Sequence, residues 1–220
     1  MPLDLDALKT YLATKQTLTP MEVLGRSLAY NPYVPRLSGN DLKRVQATPH
    51  KLVSLDASMD LELLLTRLNG IHEARALLID FTPLYTHGMP ALESLDLLGY
   101  IRRLSPQPLI HKDYFLDPYQ LLESAVHGAD AVVLDAQLLG IELKNMCAYA
   151  SRLGLLSVVY VRSKADLKAS ILAKANALYL GENFAALLEI TPQRCTILKD
   201  TDPLCSDDAY GVDGLLTYSP

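Results

Sequence analysis

Hydrophobic residues near the start of the chain recur at the spacing of a helix. Leu5, Leu8 and Leu12 share one face of a helix expected over residues 4–15. Thr19-Pro20 opens a second helix, with Thr19 as N-cap, Pro20 in the first turn and Met21, Leu24 and Leu28 turned inward. Two prolines make residues 31–36 irregular, and residues 38–47 are read as a third helix. From Lys51 the pattern changes. Short apolar runs at 52–55, 76–79, 108–110, 131–134, 156–161, 177–180, 195–198 and 212–217 read as strands. Helical segments are expected between most of them, near 60–68, 92–103, 118–128, 138–153, 165–174 and 184–188. No strand alternates cleanly between apolar and polar, as expected where both faces are covered. Such an alternation of strands and helices predicts a (β/α)8 barrel. A doubly wound open sheet is the competing arrangement. It would need fewer strands and a phosphate-binding glycine loop, and neither G-x-G-x-x-G nor G-x-x-x-x-G-K-[ST] occurs. Residues 1–220 are read as one barrel domain, with residues 1–48 an N-terminal helical extension packed on it.

The stretch from Pro108 to Gln120 organises the rest. Pro108-Leu109-Ile110 is a strand that stops at Lys112-Asp113. Asp117 is placed to cap a helix whose first turn holds Pro118, where a missing donor costs nothing. That helix runs to Gly128, and the next strand follows at once, which makes a βαβ unit. Lys112 therefore stands at the carboxyl end of a strand, the rim on which barrels of this type carry chemistry. The other residues just past a strand are Asp56, Asp80, Asp135, Arg162, Glu182, Lys199 with Asp200, and Tyr218. A closed barrel would bring them to one rim, where a lysine among carboxylates could act as a general acid or pair with a phosphate. His87, in Tyr85-Thr86-His87-Gly88, lies in the loop after the second strand and faces the same rim. His111 precedes Lys112, so if Lys112 enters the mouth, His111 points towards the helices.

Composition narrows the reading. Net charge is −5 and the pI near 5.5, which argues against a nucleic-acid partner. Cys147, Cys195 and Cys205 show no metal-ligand spacing, and an odd, sparse count suits a reducing compartment. His50, His72 and His127 match no metal site. Ser58, Ser94, Ser105 and Ser206 have no nucleophile elbow around them. The N-terminus lacks the features of a signal peptide, and no run reaches the roughly 20 apolar residues of a membrane span. The expectation is a cytoplasmic protein with no metal, no cofactor and no membrane or nucleic-acid partner.

Three short motifs in order carry a family resemblance: Lys112-Asp113-Tyr114, Asp117-Pro118-Tyr119-Gln120 and Gly128-Ala129-Asp130-Ala131. Together they resemble indole-3-glycerol phosphate synthases, the tryptophan-pathway barrels that close an indole ring on a carboxyphenylamino-deoxyribulose phosphate with loss of carbon dioxide and water. N-terminal helices also fit that family, and Tyr85-Thr86-His87-Gly88-Met89 stands where it carries a Tyr-Phe-Gln-Gly-Ser loop. The resemblance makes Lys112 the general acid. It also shows what is replaced. Ser54 stands for a glutamate and Asp56 for a lysine on the first strand, and the Ser-Pro loop after them is absent. Tyr160 stands for a glutamate on the fifth strand. Gly181-Glu182-Asn183 replaces an asparagine-rich turn, with Asn183 a displaced remnant, and Lys199-Asp200-Thr201 replaces a Glu-Ser-Gly phosphate turn. Tyr218-Ser219 takes the place of the last phosphate contact.

Removing one such group from an active site costs about 10²–10⁴ in rate. The favoured expectation is a diverged paralogue, its carboxy-lyase activity lost or strongly reduced, acting in binding, in regulation or through self-association. The alternative is an active enzyme, either a weak synthase or a lyase or isomerase of changed specificity. Catalysis would then rest on Lys112, Asp56 and Asp80, and binding on Tyr85, His87, Asp135, Arg162, Asn183 and Lys199. Arg162 and Lys199 suggest a small anionic or phosphorylated metabolite as ligand.

Overall fold

The computed structural model describes residues 3–201 and 210–218. Eight parallel strands close into a barrel in sequence order. They are β1 (His50–Asp56), β2 (Ala76–Asp80), β3 (Leu109–Lys112), β4 (Ala131–Asp135), β5 (Leu156–Val161), β6 (Ala177–Leu180), β7 (Thr196–Asp200) and β8 (Gly214–Tyr218). β8 pairs back onto β1 with His50 opposite Gly214, which closes the ring. Gly214 permits that closure: a Cβ there would lie 2.8 Å from both Leu198 Cδ2 and Leu52 Cδ1.

Each strand sorts its side chains by parity. Leu52, Ala76, Leu78, Ile110, Ala131, Val133, Leu156, Val158, Ala177, Leu198 and Leu216 fill the lumen as one cluster. The residues between them, such as Val53, Leu77, Val132, Val159 and Ile197, face the helices. Both faces are buried, which is why the strands read as apolar runs.

Ahead of the barrel come α1 (Leu5–Leu18) and α2 (Met21–Ala29). Asp4 caps α1 by accepting from the Asp6 and Ala7 backbone N–H groups. Leu8 and Leu12 are buried, whereas Leu5 is exposed. α2 is capped by the Pro20 backbone without a side-chain bond from Thr19, and Leu24 is its buried residue. Met21, expected inside, is exposed because the face of α2 that meets the barrel is centred on Leu24, which packs on Tyr119 and Leu122.

The third expected helix, over residues 38–47, does not form; the segment runs as turns. Its polar groups are spent on the barrel rather than on a helical ladder. Lys43 Nζ donates to Gln193 O at 2.9 Å and Arg44 N to Asp213 Oδ1 at 3.1 Å, and just ahead of the segment Arg36 N donates to Asp130 Oδ1 at 2.5 Å. Arg75 Nε reaches Asp41 O at 3.0 Å. These partners lie at the starts of strands, so the segment closes the lower end of the barrel, with Leu37 and Leu42 plugged into the lumen cluster.

The remaining helices are α3 (Leu61–Asn69), α4 (Asp96–Leu104), α5 (Pro118–Val126), α6 (Ala136–Leu139), α7 (Leu143–Arg152), α8 (Lys164–Leu172) and α9 (Phe184–Ile190). α5 starts as its sequence requires. Asp117 accepts from Tyr119 N at 2.8 Å, Gln120 Oε1 reaches back to Asp117 N at 3.1 Å, and Pro118 takes the first turn. The single helix expected over 138–153 is split into α6 and α7 at Gly140, which sits at φ 51°. No helix of the described residues is long and apolar enough to cross a membrane.

Candidate active site at the barrel mouth

Lys112 ends β3 in the inward phase of Ile110, and its ammonium enters the mouth. A cavity of about 240 Å³ lies there, walled by Thr82, Lys112, Asp135, Tyr160, Arg162 and Tyr179, with Asp200 and Tyr218 completing the ring. Lys112 Nζ donates to Asp80 Oδ2 at 2.7 Å. Asp80 is 8% exposed and is held in turn by Thr82, whose backbone N and Oγ1 donate to Oδ1 at 3.0 and 2.6 Å. Across the mouth, Arg162 Nη2 meets Asp135 Oδ1 and Oδ2 at 2.6 and 2.5 Å. Asp135 also caps α6 through the Gln137 and Leu138 backbone N–H groups. Both cations of the mouth are therefore engaged by carboxylates.

The third wall is aromatic. Tyr160 and Tyr179 meet edge to face at 5.0 Å, and the Arg162 guanidinium lies 5.2 Å from the Tyr160 ring centre. Tyr179 and Tyr218 donate their hydroxyls to Asp200 Oδ1 at 2.5 and 3.1 Å. Burial, and then the Asp200 carboxylate, push the Tyr179 phenol far above its ordinary range and Tyr218 up to about 12. Both remain protonated donors. Tyr160 has room because the residue that follows β6 is Gly181. A Cβ at that position would lie 2.6 Å from Tyr160 Cζ and 2.7 Å from Cε2.

Beside the mouth is a second, much smaller cavity of about 20 Å³, room for about one water. Asp113 lines both cavities. Burial pushes its carboxyl up to about 6, against the Tyr114 N–H and the Tyr85 hydroxyl that bond it. His111 points to the helices, as parity requires, and is 1% exposed. Its Nδ1 lies 2.8 Å from Ser124 Oγ, which donates to Gln120 O at 2.7 Å. The ring thus donates from Nδ1, and Nε2 has no hydrogen-bond partner among the described residues. Burial, then the charges of His127 and Lys15, push His111 down to about 3.

The fold thus gathers Lys112, Asp80, Asp135 and Arg162 and leaves the other candidates outside the mouth cavity. Asp56 accepts from Ser58 N and Oγ, each at 2.7 Å, and serves a turn. Tyr85 turns to Asp113 and packs edge to face on Tyr114 at 5.2 Å, in the smaller cavity. His87 is exposed at the end of a 3-10 turn, not directed at the rim centre. Asn183 is exposed, in a left-handed conformation at φ 61° ahead of α9. Lys199 has the outward parity of Ile197, and its ammonium lies 4.8 Å from the ring centre of Phe184 on α9. Its neighbour Asp200 takes the inward place instead. Asp200 and Tyr218, expected at the rim, and Tyr160, which stands for a family glutamate, do line the mouth; Tyr179 was not singled out, although it stands two residues beyond the lumen position Ala177. Cys205, Ser206 and Ser219 lie outside the described residues.

Fold and site together define a (β/α)8 barrel with titratable side chains gathered on the carboxyl rim of its strands, the arrangement of barrel enzymes. Sequence comparison specifies the family. The family model of indole-3-glycerol phosphate synthase matches residues 93–198. The chain is 36% identical over 196 residues to an indole-3-glycerol phosphate synthase of Campylobacter jejuni subsp. jejuni serotype O:23/36 (strain 81-176), an overlap of 83% of this chain and 72% of that protein. It is 34% identical over 179 residues to that of Campylobacter curvus (strain 525.92), covering 76% and 67%. For Sulfurimonas denitrificans the identity is 32% over 165 residues, covering 70% and 60%. The chain belongs to the indole-3-glycerol phosphate synthase family.

Proposed function

We propose that this chain is a diverged member of the family in which ring closure is lost or strongly reduced, and in which the mouth binds a small polar metabolite in a binding or regulatory role. One observation carries this reading: the two cations that line the mouth are each tied to an aspartate, at 2.7 and 2.5 Å. The substrate of the family reaction, as the resemblance implies it, bears a phosphate and a carboxylate. Here Lys112 and Arg162 share the cavity lining with Asp113, Asp135 and Asp200, so carboxylates outnumber cations around it. Each anion admitted would have to displace an existing ion pair, and a displaced, partly buried carboxylate is costly. The test is turnover of carboxyphenylamino-deoxyribulose phosphate by the purified protein. A rate at least about 10²–10⁴ below that of an active relative is expected. A rate equal to the relative's overturns the proposal.

A second reading, an active enzyme, is favoured by the position of Lys112, whose ammonium still enters an open cavity beside Asp80. Rescue of a tryptophan auxotroph by this chain, abolished by Lys112→Ala, would support it. Failure to rescue at high expression would count against it.

A further inference from the structure

Two carboxylates that line the mouth, Asp113 and Asp200, have no lysine or arginine partner among the described residues; Asp113 is bonded by the Tyr114 N–H and the Tyr85 hydroxyl and is shared with the smaller cavity, whereas Asp200 stands within the tyrosine wall. It is held by two tyrosine hydroxyls, at 2.5 and 3.1 Å, and among the described residues it forms no ion pair. The segments left undescribed supply no side-chain cation: residues 1–2, 202–209 and 219–220 include no Lys, Arg or His. Around Asp200 stand the rings of Tyr160, Tyr179 and Tyr218, all lining one cavity of about 240 Å³. Aromatic faces attract a cation, and more strongly where water is excluded. The other cations of the cavity are in the Lys112–Asp80 and Arg162–Asp135 pairs; Arg162 also stacks on Tyr160 and keeps a buried Nε with no hydrogen-bond partner among the described residues.

We propose that the mouth binds a small amine, its ammonium seated on Asp200 against the tyrosine wall. The cavity, about 240 Å³, is about twelve times the one-water cavity beside it, which suits a ligand the size of a single ring or a short chain. The charge of this ligand is opposite to the one suggested by the strand-end cations in the sequence. Its basis is that each of those cations already has a carboxylate partner, whereas Asp200, amid three tyrosine rings, has none among the described residues. The inference deepens the binding role proposed above and rests on it, yet the two fail separately. Turnover of the synthase substrate would overturn the binding role, whereas the titration below reads amine recognition alone.

Isothermal titration of the full chain with benzylamine, benzyl alcohol and inorganic phosphate makes the test. Benzylamine is expected to bind, with benzyl alcohol at least about tenfold weaker, since the two differ chiefly in the charge that Asp200 would meet. Asp200→Asn, which keeps the shape and an oxygen for the tyrosine hydroxyls, is expected to weaken benzylamine by about tenfold and leave benzyl alcohol unchanged. The wild-type comparison stands without the variant if Asp200→Asn does not fold. Absence of benzylamine binding, equal binding of amine and alcohol, or preferential binding of phosphate each overturns the proposal.

Discussion

Tyr160 and Gly181 should behave as one unit. Tyr160 occupies the space over the end of β6, and Gly181 leaves that space empty of a side chain. In Gly181→Ala the new Cβ would lie 2.6 Å from Tyr160 Cζ and 2.7 Å from Cε2, so the ring must retreat by about 1 Å to reach ordinary contact. Retreat disturbs the edge-to-face contact with Tyr179 at 5.0 Å and the Arg162 stacking at 5.2 Å. Such contacts are worth about 0.5–1.5 and 0.5–1 kcal/mol respectively. Gly181 is not among the positive-φ glycines, so alanine meets no backbone strain there and recovers a few tenths of a kcal/mol in chain entropy. The net expected cost is about 1–2 kcal/mol, or roughly 2–8 °C in Tm for a chain of this length. The assay is urea unfolding of wild type, Gly181→Ala, Tyr160→Ala and the double variant. With the ring removed, Gly181→Ala should cost nothing or stabilise slightly, which gives a coupling of about 1–2 kcal/mol. An equal cost in both backgrounds, or none in the wild type, refutes the pairing.

Asp130→Ala should cost about 3–5 kcal/mol in urea unfolding, because Asp130 is fully buried and its loss strands the Arg36 and Arg102 guanidinium groups that now sit 3.1 and 2.7 Å away; a loss below about 1 kcal/mol would contradict this role. Leu42→Ala at the lower end of the barrel, 2% exposed, should cost about 2–5 kcal/mol and leave ligand binding at the mouth unchanged. A shift in binding as large as the shift in stability would show that the plug and the mouth are not independent. His111 is held down at about 3 against an ordinary 6.5, so it stabilises the fold above pH 6.5 and that contribution fades as pH falls towards 3. Asp113, raised from 3.8 to about 6, acts in the opposite sense: its contribution is full below pH 3.8 and fades as pH rises through 6. The two oppose each other between pH 6 and 3.8, so His111→Gln should make stability change more favourably as pH falls from 6.5 to 3, by up to about 1.4 kcal/mol per pH unit relative to wild type. Unfolding free energies that keep the wild-type slope in the variant would rule His111 out as a contributor to it.

Much of this protein was legible in one dimension. The eight apolar runs lie within a few residues of the strands, because a strand buried on both faces can be built only from such a run. Asp117 and Pro118 marked the start of α5 through chemistry confined to one turn. Parity along β3 separated Lys112 from His111. Residues 38–47 were read wrongly because the segment forms turns anchored by partners far along the chain, the Lys43 ammonium on Gln193 O and the Arg44 N–H on Asp213, which local spacing does not reveal. The same limit applies to the mouth. Strand-end position placed Lys199 beside Arg162, but the phase of β7 turns Lys199 to Phe184 and Asp200 inward. Above all, the sequence supplied the charges and the closed barrel decided their pairing. Lys112 meets Asp80, Arg162 meets Asp135, and Asp200 meets phenols and no cation among the described residues, because ring closure sets which strand ends are neighbours and Coulomb energy rewards only charges that are near.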